Sequence, residues 1–473
     1  MGKKNKQEKQ ENPAKIGMGR LFLWNSRAVS VSVMTLAMST YMLLYCNSVL
    51  GLSTTVVSLM LVAGKLLDGV TDSIAGIIVD KTQTRWGKGR PYEVFIVLAW
   101  LCVWLMYSTP SGMSDFFKYA WVFITYTLAN SICYTFLNAC NLPYTVRAFR
   151  SEQVAPLTSY GSVITMLGAA LFNIFGPSLF DAAGTNPGSW SSLVGCLAVA
   201  MAAIGILRML TIKETIDVEA AATVKSDQIK VRDLFELIKT NKYVVMLFAM
   251  SIVFNFVANM GVSTYYYSYV VGSLSLAGVA SAAQMLSIPL AFTFPQLLKK
   301  FNVATLMMVG FFVSAFGYAL NFLAGSNIVL LSIAAIFWGC GTIPASMLPA
   351  IAMMECADYN EWKNKPRMEG TMSSLQGLAA KVGAAVGTGF LGIILDATGV
   401  ASEVTALGAG TQSVMTSGGQ MVLIILFSIL PAILYVVVGL TLTKYDLGKL
   451  MPQIREDLGA RRAAVAAQNK EEQ

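Results

Sequence analysis

Asp68 and Asp72 are the residues whose type and spacing most clearly suggest chemistry in this sequence of 473 residues. They stand four residues apart in an otherwise apolar run, a spacing that places two side chains on one face of an α-helix. Two carboxylates held together away from water repel each other, and a bound monovalent cation or a proton relieves that repulsion. The pair is therefore predicted to bind a coupling ion, with sodium, lithium and a proton as the candidates.

Two lysines are candidate charge partners of this pair. Lys65 precedes Asp68 by one helical turn, so a purely structural ion pair is the competing interpretation. Lys381 lies within another apolar run without a neighbouring acid, so its partner is expected from a different helix, with Asp68 or Asp72 the natural candidate. A charge at the centre of a bilayer costs about 2.5–3.5 kcal/mol on insertion scales, so each of these residues needs a reason to be there. A functional role is expected for Lys381, with pairing to backbone carbonyls as the alternative.

The fourth apolar run carries a stripe of polar residues, which are spaced three or four residues apart and so share one face of a helix. Its members are Asn130, Tyr134, Asn138, Asn141 and Thr145. Neutral amides and hydroxyls are the groups that recognise sugars by hydrogen bonding, so Tyr134, Asn138 and Asn141 are predicted to line a substrate site. The alternative is hydrogen bonding between helices, which contributes only about 0.6 kcal/mol per bond in membranes.

The elements that position these residues are apolar helices. Charged residues make up 13 % of the chain and hydrophobic residues 55 %, whereas soluble domains carry about 25 % charged residues. About twelve apolar runs approach the roughly 20 residues that cross a bilayer. The sequence thus predicts an all-α membrane protein with twelve transmembrane helices, embedded in a lipid bilayer.

The positions of the basic residues predict the orientation. All but four of the 34 lysines and arginines fall in segments that a cytoplasmic N-terminus would place on the cytoplasmic side. Only Lys118 falls on the opposite side, and Arg27, Lys65 and Lys381 fall inside spans. Under the positive-inside rule, both termini are expected to be cytoplasmic.

The only long polar stretch in the interior separates six apolar runs from six others. This even split is typical of a transporter made of two bundles, and a channel or a membrane enzyme would not predict it. The predicted parts are a cytoplasmic tail 1–19, a six-helix bundle 20–212, a cytoplasmic linker 213–242, a second six-helix bundle 243–443 and a cytoplasmic tail 444–473.

Several kinds of chemistry are not expected. The chain contains no histidine, and its seven cysteines form no C-x-x-C pair, so neither a zinc site nor a cofactor is predicted. The only metal site expected is a monovalent cation at Asp68 and Asp72. The net charge of +8 is assigned to the lipid surface rather than to nucleic acid, and a monomer is expected.

Two motif blocks resemble the glycoside–pentoside–hexuronide:cation symporters of the major facilitator superfamily. The first, 67–91, holds D-x-x-x-D, then G-x-x-x-D and an RWGKxRP loop. The second begins E-x-x-D-Y-x-E-W-K at Glu355 and continues with R-x-E-G at Arg367 and Gln376 five residues before Lys381. The resemblance extends over nearly the whole chain and implies the major facilitator fold.

The resemblance also implies individual roles. Asp68 and Asp72 match the cation-site carboxylates, Lys381 a lysine near the cation and sugar sites, and Gln376 a position near the sugar. It further implies a cytoplasmic gate made of Asp80, Arg85, Arg90, Asp358 and Arg367.

The chain departs from the family at substrate positions. Asn141 replaces an aspartate of the fourth helix, and Tyr160, also predicted to bind substrate, replaces an arginine early in the fifth. We therefore expect a cation-coupled symporter, not an enzyme, of the bacterial inner membrane for a glycoside, pentoside or hexuronide. Alternatives are a carrier of a lysolipid or amphipathic compound, proton-coupled instead of sodium-coupled transport, and a non-transporting receptor or scaffold.

Overall fold

A computed structural model describes residues 16–216, 241–291, 293–363, 369–408 and 414–471. These ranges are helical and contain no named strand. The principal helices are α1 Met18–Val49, α2 Thr54–Lys81, α3 Phe95–Met106, α4 Asp115–Ala148, α5 Ser151–Ala183, α6 Pro187–Thr211, α7 Lys242–Val271, α8 Leu276–Leu290, α9 Val303–Ala324, α10 Ile328–Trp362, α11 Glu369–Ala397, α12 Val400–Gly408, α13 Ser417–Leu442 and α14 Leu447–Glu471.

Each of the twelve predicted apolar runs corresponds to one of the helices α1–α11 or to α13. Among the described residues, nine helices are long and apolar enough to cross a membrane by length and composition. The other three are α2, which carries the acidic pair, and the shorter helices α3 and α8. Helix α14 lies in the segment predicted as the C-terminal tail.

Four of these helices contain a π-helical segment, in which the chain gains an extra residue in one turn. Such segments are rare and often mark functional sites. The one in α4, Leu128–Tyr134, contains the first two residues of the predicted polar stripe, Asn130 and Tyr134. The others are Tyr45–Val49, Tyr267–Val271 and Ile425–Ile429.

The chain folds into two compact units. The first comprises the described residues of Met1–Met38, Ala63–Phe172 and Asn186–Thr223, and the second those of Ser39–Val62, Asn173–Thr185 and Val224–Gln473. The predicted bundles 20–212 and 243–443 stay a prediction, as do the linker and the tails.

In the first unit, α2 and α4 approach closely at a glycine. A Cβ added to Gly64 would lie 2.7 Å from the Tyr126 ring, so a larger residue there would force the ring or the helices to move. Ser131, in the π-helical segment, donates a hydrogen bond of 3.1 Å to the Gly64 carbonyl oxygen. This contact fixes the segment of α4 that faces the acidic part of α2.

In the second unit, α7 and α11 pack through small residues. A Cβ on Gly383 would lie 2.4 Å from the Ile252 carbonyl oxygen, and one on Gly387 would lie 2.4 Å from that of Phe256. Glycines spaced by four residues allow such close backbone approach between membrane helices. The packing determines where α11 carries Lys381, two residues before Gly383.

Candidate cation and substrate site

Asp68 lies in the middle of α2 and is bound by a residue of α4. Its Oδ2 accepts a hydrogen bond of 2.8 Å from Asn130 Nδ2, and the Asp68 side chain is half-buried. Asn130 belongs both to the predicted stripe and to the π-helical segment. The first residue of the stripe therefore donates its hydrogen bond to the carboxylate of Asp68.

Asp72, one turn further along α2, is bound by α4 in the same way. Its Oδ1 accepts a hydrogen bond of 3.0 Å from Thr135 Oγ1. Thr135 follows the π-helical segment directly and is buried. Its side chain lies outside the spacing of the stripe, so no signal in the sequence pointed to it.

Lys65 interacts electrostatically with Asp68, as the ion-pair interpretation expected. One lysine beside two carboxylates still leaves one negative charge for a cation, so this interaction is compatible with a cation site. The described residues hold no group of three or more His, Cys, Asp or Glu that could bind a metal ion. The groups recorded against the two carboxylates are the Asn130 amide nitrogen and the Thr135 hydroxyl, and carboxylate and hydroxyl oxygens are ligands that hard cations accept.

Of the other predicted substrate residues on α4, Tyr134 ends the π-helical segment, whereas Asn138 and Asn141 lie beyond it. Tyr134 is half-buried, and Asn138 and Asn141 are exposed. The Asn138 side chain is thus accessible at the surface of the helix, whereas the Asn141 side chain already accepts hydrogen bonds through its oxygen. Its Oδ1 accepts hydrogen bonds of 2.9 Å from Arg27 Nη2 and of 3.0 and 3.1 Å from Arg208 Nη1 and Nη2.

The two arginines share one buried carboxylate, that of Glu93. Arg27 Nε lies 3.5 Å from Glu93 Oε2, and Arg208 Nε lies 3.4 Å from Glu93 Oε1. Arg208 is only 1 % exposed, and its guanidinium stacks 3.5 Å from the centroid of the Trp24 ring. In the sequence, Arg208 resembles an ordinary basic residue at the cytoplasmic end of a span, so its burial was not predicted.

The remaining predicted substrate and charge residues lie on other helices. Tyr160 projects from α5 with 62 % of its surface exposed. In the second unit, α11 carries the half-buried Gln376 and the exposed Lys381. The pairing of Lys381 with Asp68 or Asp72 stays a prediction, as do the substrate roles of Gln376 and Tyr160.

The predicted gate residues are only partly described. Arg85 is exposed in the loop after α2, Asp358 is half-buried on α10, and nothing is described of the Asp80 side chain. Arg367 lies outside the described residues. Arg90 is held within the first unit, where its Nε donates a hydrogen bond of 2.8 Å to the Met209 carbonyl oxygen.

A glutamate that was not predicted organises the same loop. Glu214 accepts hydrogen bonds from the backbone N–H groups of Lys88, Gly89 and Arg90, at 2.8, 2.8 and 2.7 Å. Arg147 Nε lies 4.0 Å from its Oε2. Within the first unit, the loop is therefore fixed by one carboxylate, and the gating role of Arg90 remains a prediction.

Comparison with known proteins places these features in a family. Residues 25–449 match the model of a family described as MFS/sugar transport protein. The chain is 26 % identical to the uncharacterized symporter YnaJ of Bacillus subtilis, over 92 % of this chain and 93 % of that protein. It is 27 % identical to the isoprimeverose transporter of Lactiplantibacillus pentosus, over 76 % of each.

A solved structure with a similar fold is that of the nucleoside transporter NupG. The TM-score is 0.61 at 16 % sequence identity, with 90 % of this chain and 99 % of that chain covered. At this identity the likeness concerns the fold alone. The prediction of an all-α membrane protein with the major facilitator fold is confirmed.

Proposed function

The chain belongs to the family of MFS/sugar transport proteins, and we propose that it carries a glycoside, pentoside or hexuronide together with one cation bound at Asp68 and Asp72. It is a multi-pass membrane protein and a cation-coupled secondary transporter, similar over nearly its whole length to a symporter. The protein moves solutes across the membrane and neither makes nor breaks covalent bonds in them.

The observation that carries the proposal is the pair of hydrogen bonds from α4 to α2. Asn130 and Thr135 hold Asp68 and Asp72, so the two carboxylates are oriented by neutral donors. A bound sodium ion, lithium ion or proton would offset their mutual repulsion. A bound cation would compete with the Asn130 and Thr135 donors for the carboxylate oxygens. The hydrogen bonds between α2 and α4 would therefore weaken or strengthen with cation occupancy.

This attachment offers a route from the cation to the substrate. Asn130 lies within the π-helical segment Leu128–Tyr134, and Thr135 follows it directly. Tyr134, Asn138 and Asn141 continue along the same helix. A change in the hydrogen bonds at Asp68 and Asp72 would therefore shift α4 where it carries the proposed substrate residues, which is the differential contact that coupling requires.

The energy for accumulation would come from the ion gradient. Each charge that crosses the membrane contributes about 2.3 kcal/mol per 100 mV. We place the protein in the inner membrane with both termini cytoplasmic, because the basic residues concentrate on that side. Lys381 is proposed as the partner that senses whether the acidic pair is occupied, and Gln376 and Tyr160 as further substrate contacts.

Transport in proteoliposomes tests the proposal. Purified protein is reconstituted, and uptake of labelled glycosides, pentosides and hexuronates is measured with an inward gradient of sodium, of lithium or of protons. We expect at least one sugar to accumulate above its external concentration with one of these gradients. Uptake that reaches the same level without any gradient, for every sugar, would contradict symport.

A further inference from the structure

The contacts around Asn141 determine which of its side-chain atoms is available to a ligand. Its Oδ1 accepts three N–H groups from two guanidinium groups. Turning the amide over would point its NH₂ group at those donors and lose all three charge-assisted hydrogen bonds. The two arginines therefore fix the orientation of the amide.

With Oδ1 engaged, the Nδ2 amino group remains. No acceptor for it is found among the described residues, and the Asn141 side chain is exposed. Position 141 thus presents only N–H donors. A donor of this kind requires an acceptor oxygen on its ligand, and among glycosides, pentosides and hexuronides the carboxylate of a hexuronide is the strongest acceptor.

The charge beneath Asn141 favours the same ligand. Arg27 and Arg208 are 6 % and 1 % exposed, and Glu93, the carboxylate between them, is fully buried. Among the described residues neither arginine forms an ion pair with another acid. Two cationic groups and one anionic group leave one positive charge, in surroundings where water screens it poorly.

We propose that Asn141, oriented by the buried Arg27–Glu93–Arg208 cluster, binds the carboxylate of an anionic glycoside such as a hexuronide, and so selects it over the neutral sugar. The proposal rests on the proposed function and narrows its substrate class. The substitution Asn141→Asp would remove both the N–H donor and the residual positive charge. Its carboxylate offers acceptors instead of donors, and its negative charge balances that of the cluster.

Binding of matched ligands tests this assignment. We would measure the affinity of purified protein for methyl glucuronide and methyl glucoside, and for methyl galacturonide and methyl galactoside, at pH 7 by calorimetry. Within a pair, the ligands differ only in a carboxylate against a CH₂OH group. We expect at least one uronide to bind about tenfold tighter than its neutral counterpart, a difference of about 1.4 kcal/mol.

Two variants distinguish the contribution of the Asn141 N–H donor from that of the positive charge of the cluster. Asn141→Asp is expected to lose the preference for the uronide, without loss of thermal stability, because the new carboxylate balances the cluster. Asn141→Ala removes the donor and keeps the positive charge, so it should bind the uronide more weakly yet still prefer it. Equal or tighter binding of both neutral sugars by the unmodified protein, absence of uronide binding, or an unchanged preference in Asn141→Asp would overturn the assignment.

The uptake assay distinguishes this failure from a failure of the transport function. Gradient-driven accumulation of neutral sugars without a preference for uronides would refute only the selectivity of Asn141. If no sugar accumulated with any gradient, the proposed symport would itself be wrong.

Discussion

Asn130 Nδ2 lies 2.8 Å from Asp68 Oδ2 and joins the π-helical segment of α4 to the acidic face of α2. Five residues later, Thr135 makes the equivalent bond to Asp72. Two helices are therefore linked at the two carboxylates predicted to bind the cation. If cation and sugar communicate through α4, weakening either bond should reduce the coupling between them.

Thr135→Val is expected to reduce that coupling. The substitution nearly keeps the volume of the side chain but removes the hydroxyl that donates a hydrogen bond to Asp72. Coupling free energies between two sites are about 1–3 kcal/mol, so the factor by which saturating cation raises sugar affinity should fall about fivefold or more. Sugar binding measured with and without the cation checks this.

Thr125→Val is the matched control. Thr125 lies on the same helix and is buried, but its hydroxyl donates only to backbone oxygens of its own helix, those of Trp121 and Val122. Its coupling factor should equal that of the unmodified protein. Equal coupling factors in Thr135→Val and Thr125→Val would show that the bond to Asp72 carries none of the communication.

Glu93→Gln should destabilise the protein strongly. The change leaves Arg27 and Arg208 buried without a compensating carboxylate, and removing one partner of a buried ion pair costs about 3–5 kcal/mol. Thermal unfolding in detergent measures the effect. Asp115→Asn is the control, since its pair with Lys118 spans 3.3 Å at a carboxylate that is 73 % exposed; such pairs contribute about 0–1 kcal/mol.

A Glu93→Gln variant as stable as Asp115→Asn would mean that the two arginines need no anion. The cluster would then supply no residual positive charge that favours an anionic ligand at Asn141.

Gly383→Ala should disrupt the packing of α11 on α7. The added Cβ would lie 2.4 Å from the Ile252 carbonyl oxygen and 2.9 Å from Asn255 Cβ, so the helices must separate, at a cost of about 1–3 kcal/mol. Gly377→Ala, on the same helix with nothing within 4 Å of the new methyl group, should be neutral or slightly stabilising. Thermal unfolding that ranks the two variants in the opposite order would contradict the close approach.

Asp396→Ala should open one end of the second unit. The carboxylate accepts hydrogen bonds from Ser53 Oγ at 2.6 Å, Thr54 Oγ1 at 2.9 Å and the Thr55 N–H at 2.8 Å. It thereby joins the start of α2 to the end of α11. We expect the nearby Cys46, which is fully buried, to react faster with N-ethylmaleimide in the variant, as measured by peptide mass spectrometry.

The control for this reaction is Glu403→Ala. Glu403 accepts hydrogen bonds from Thr416 N and Oγ1, only 13 residues away in sequence, so its loss should affect the local loop alone. An unchanged rate at Cys46 in Asp396→Ala would show that the three hydrogen bonds do not hold this end closed.

The local features were predictable from the sequence. Hydropathy located the helices, and the i, i+4 spacing put Asp68 and Asp72 on one face of α2, because both signals depend only on residues close together in the chain. The stripe on α4 was recognised for the same reason. Its first member, however, binds a carboxylate rather than being free for a sugar, and spacing cannot distinguish these roles.

Features that depend on packing between helices were not predictable. Thr135 shows no periodic signal, and its role arises only because α4 lies against α2 at Gly64. Arg208 looks like a cytoplasmic charge, yet the Trp24 ring and Glu93 surround it. The π-helical segment in α4 likewise carries no recognised sequence mark, although it determines which side chains of α4 point towards α2.

The most direct test of the cation site compares cation-stimulated sugar uptake by the unmodified protein and by Asp72→Asn in proteoliposomes. The amide has the same shape but lacks the charge that would bind the cation. We predict normal insertion into the membrane, unchanged thermal stability within about 1 kcal/mol, and no stimulation of uptake by sodium, lithium or a proton gradient. Stimulation equal to that of the unmodified protein would contradict a cation site at Asp68 and Asp72.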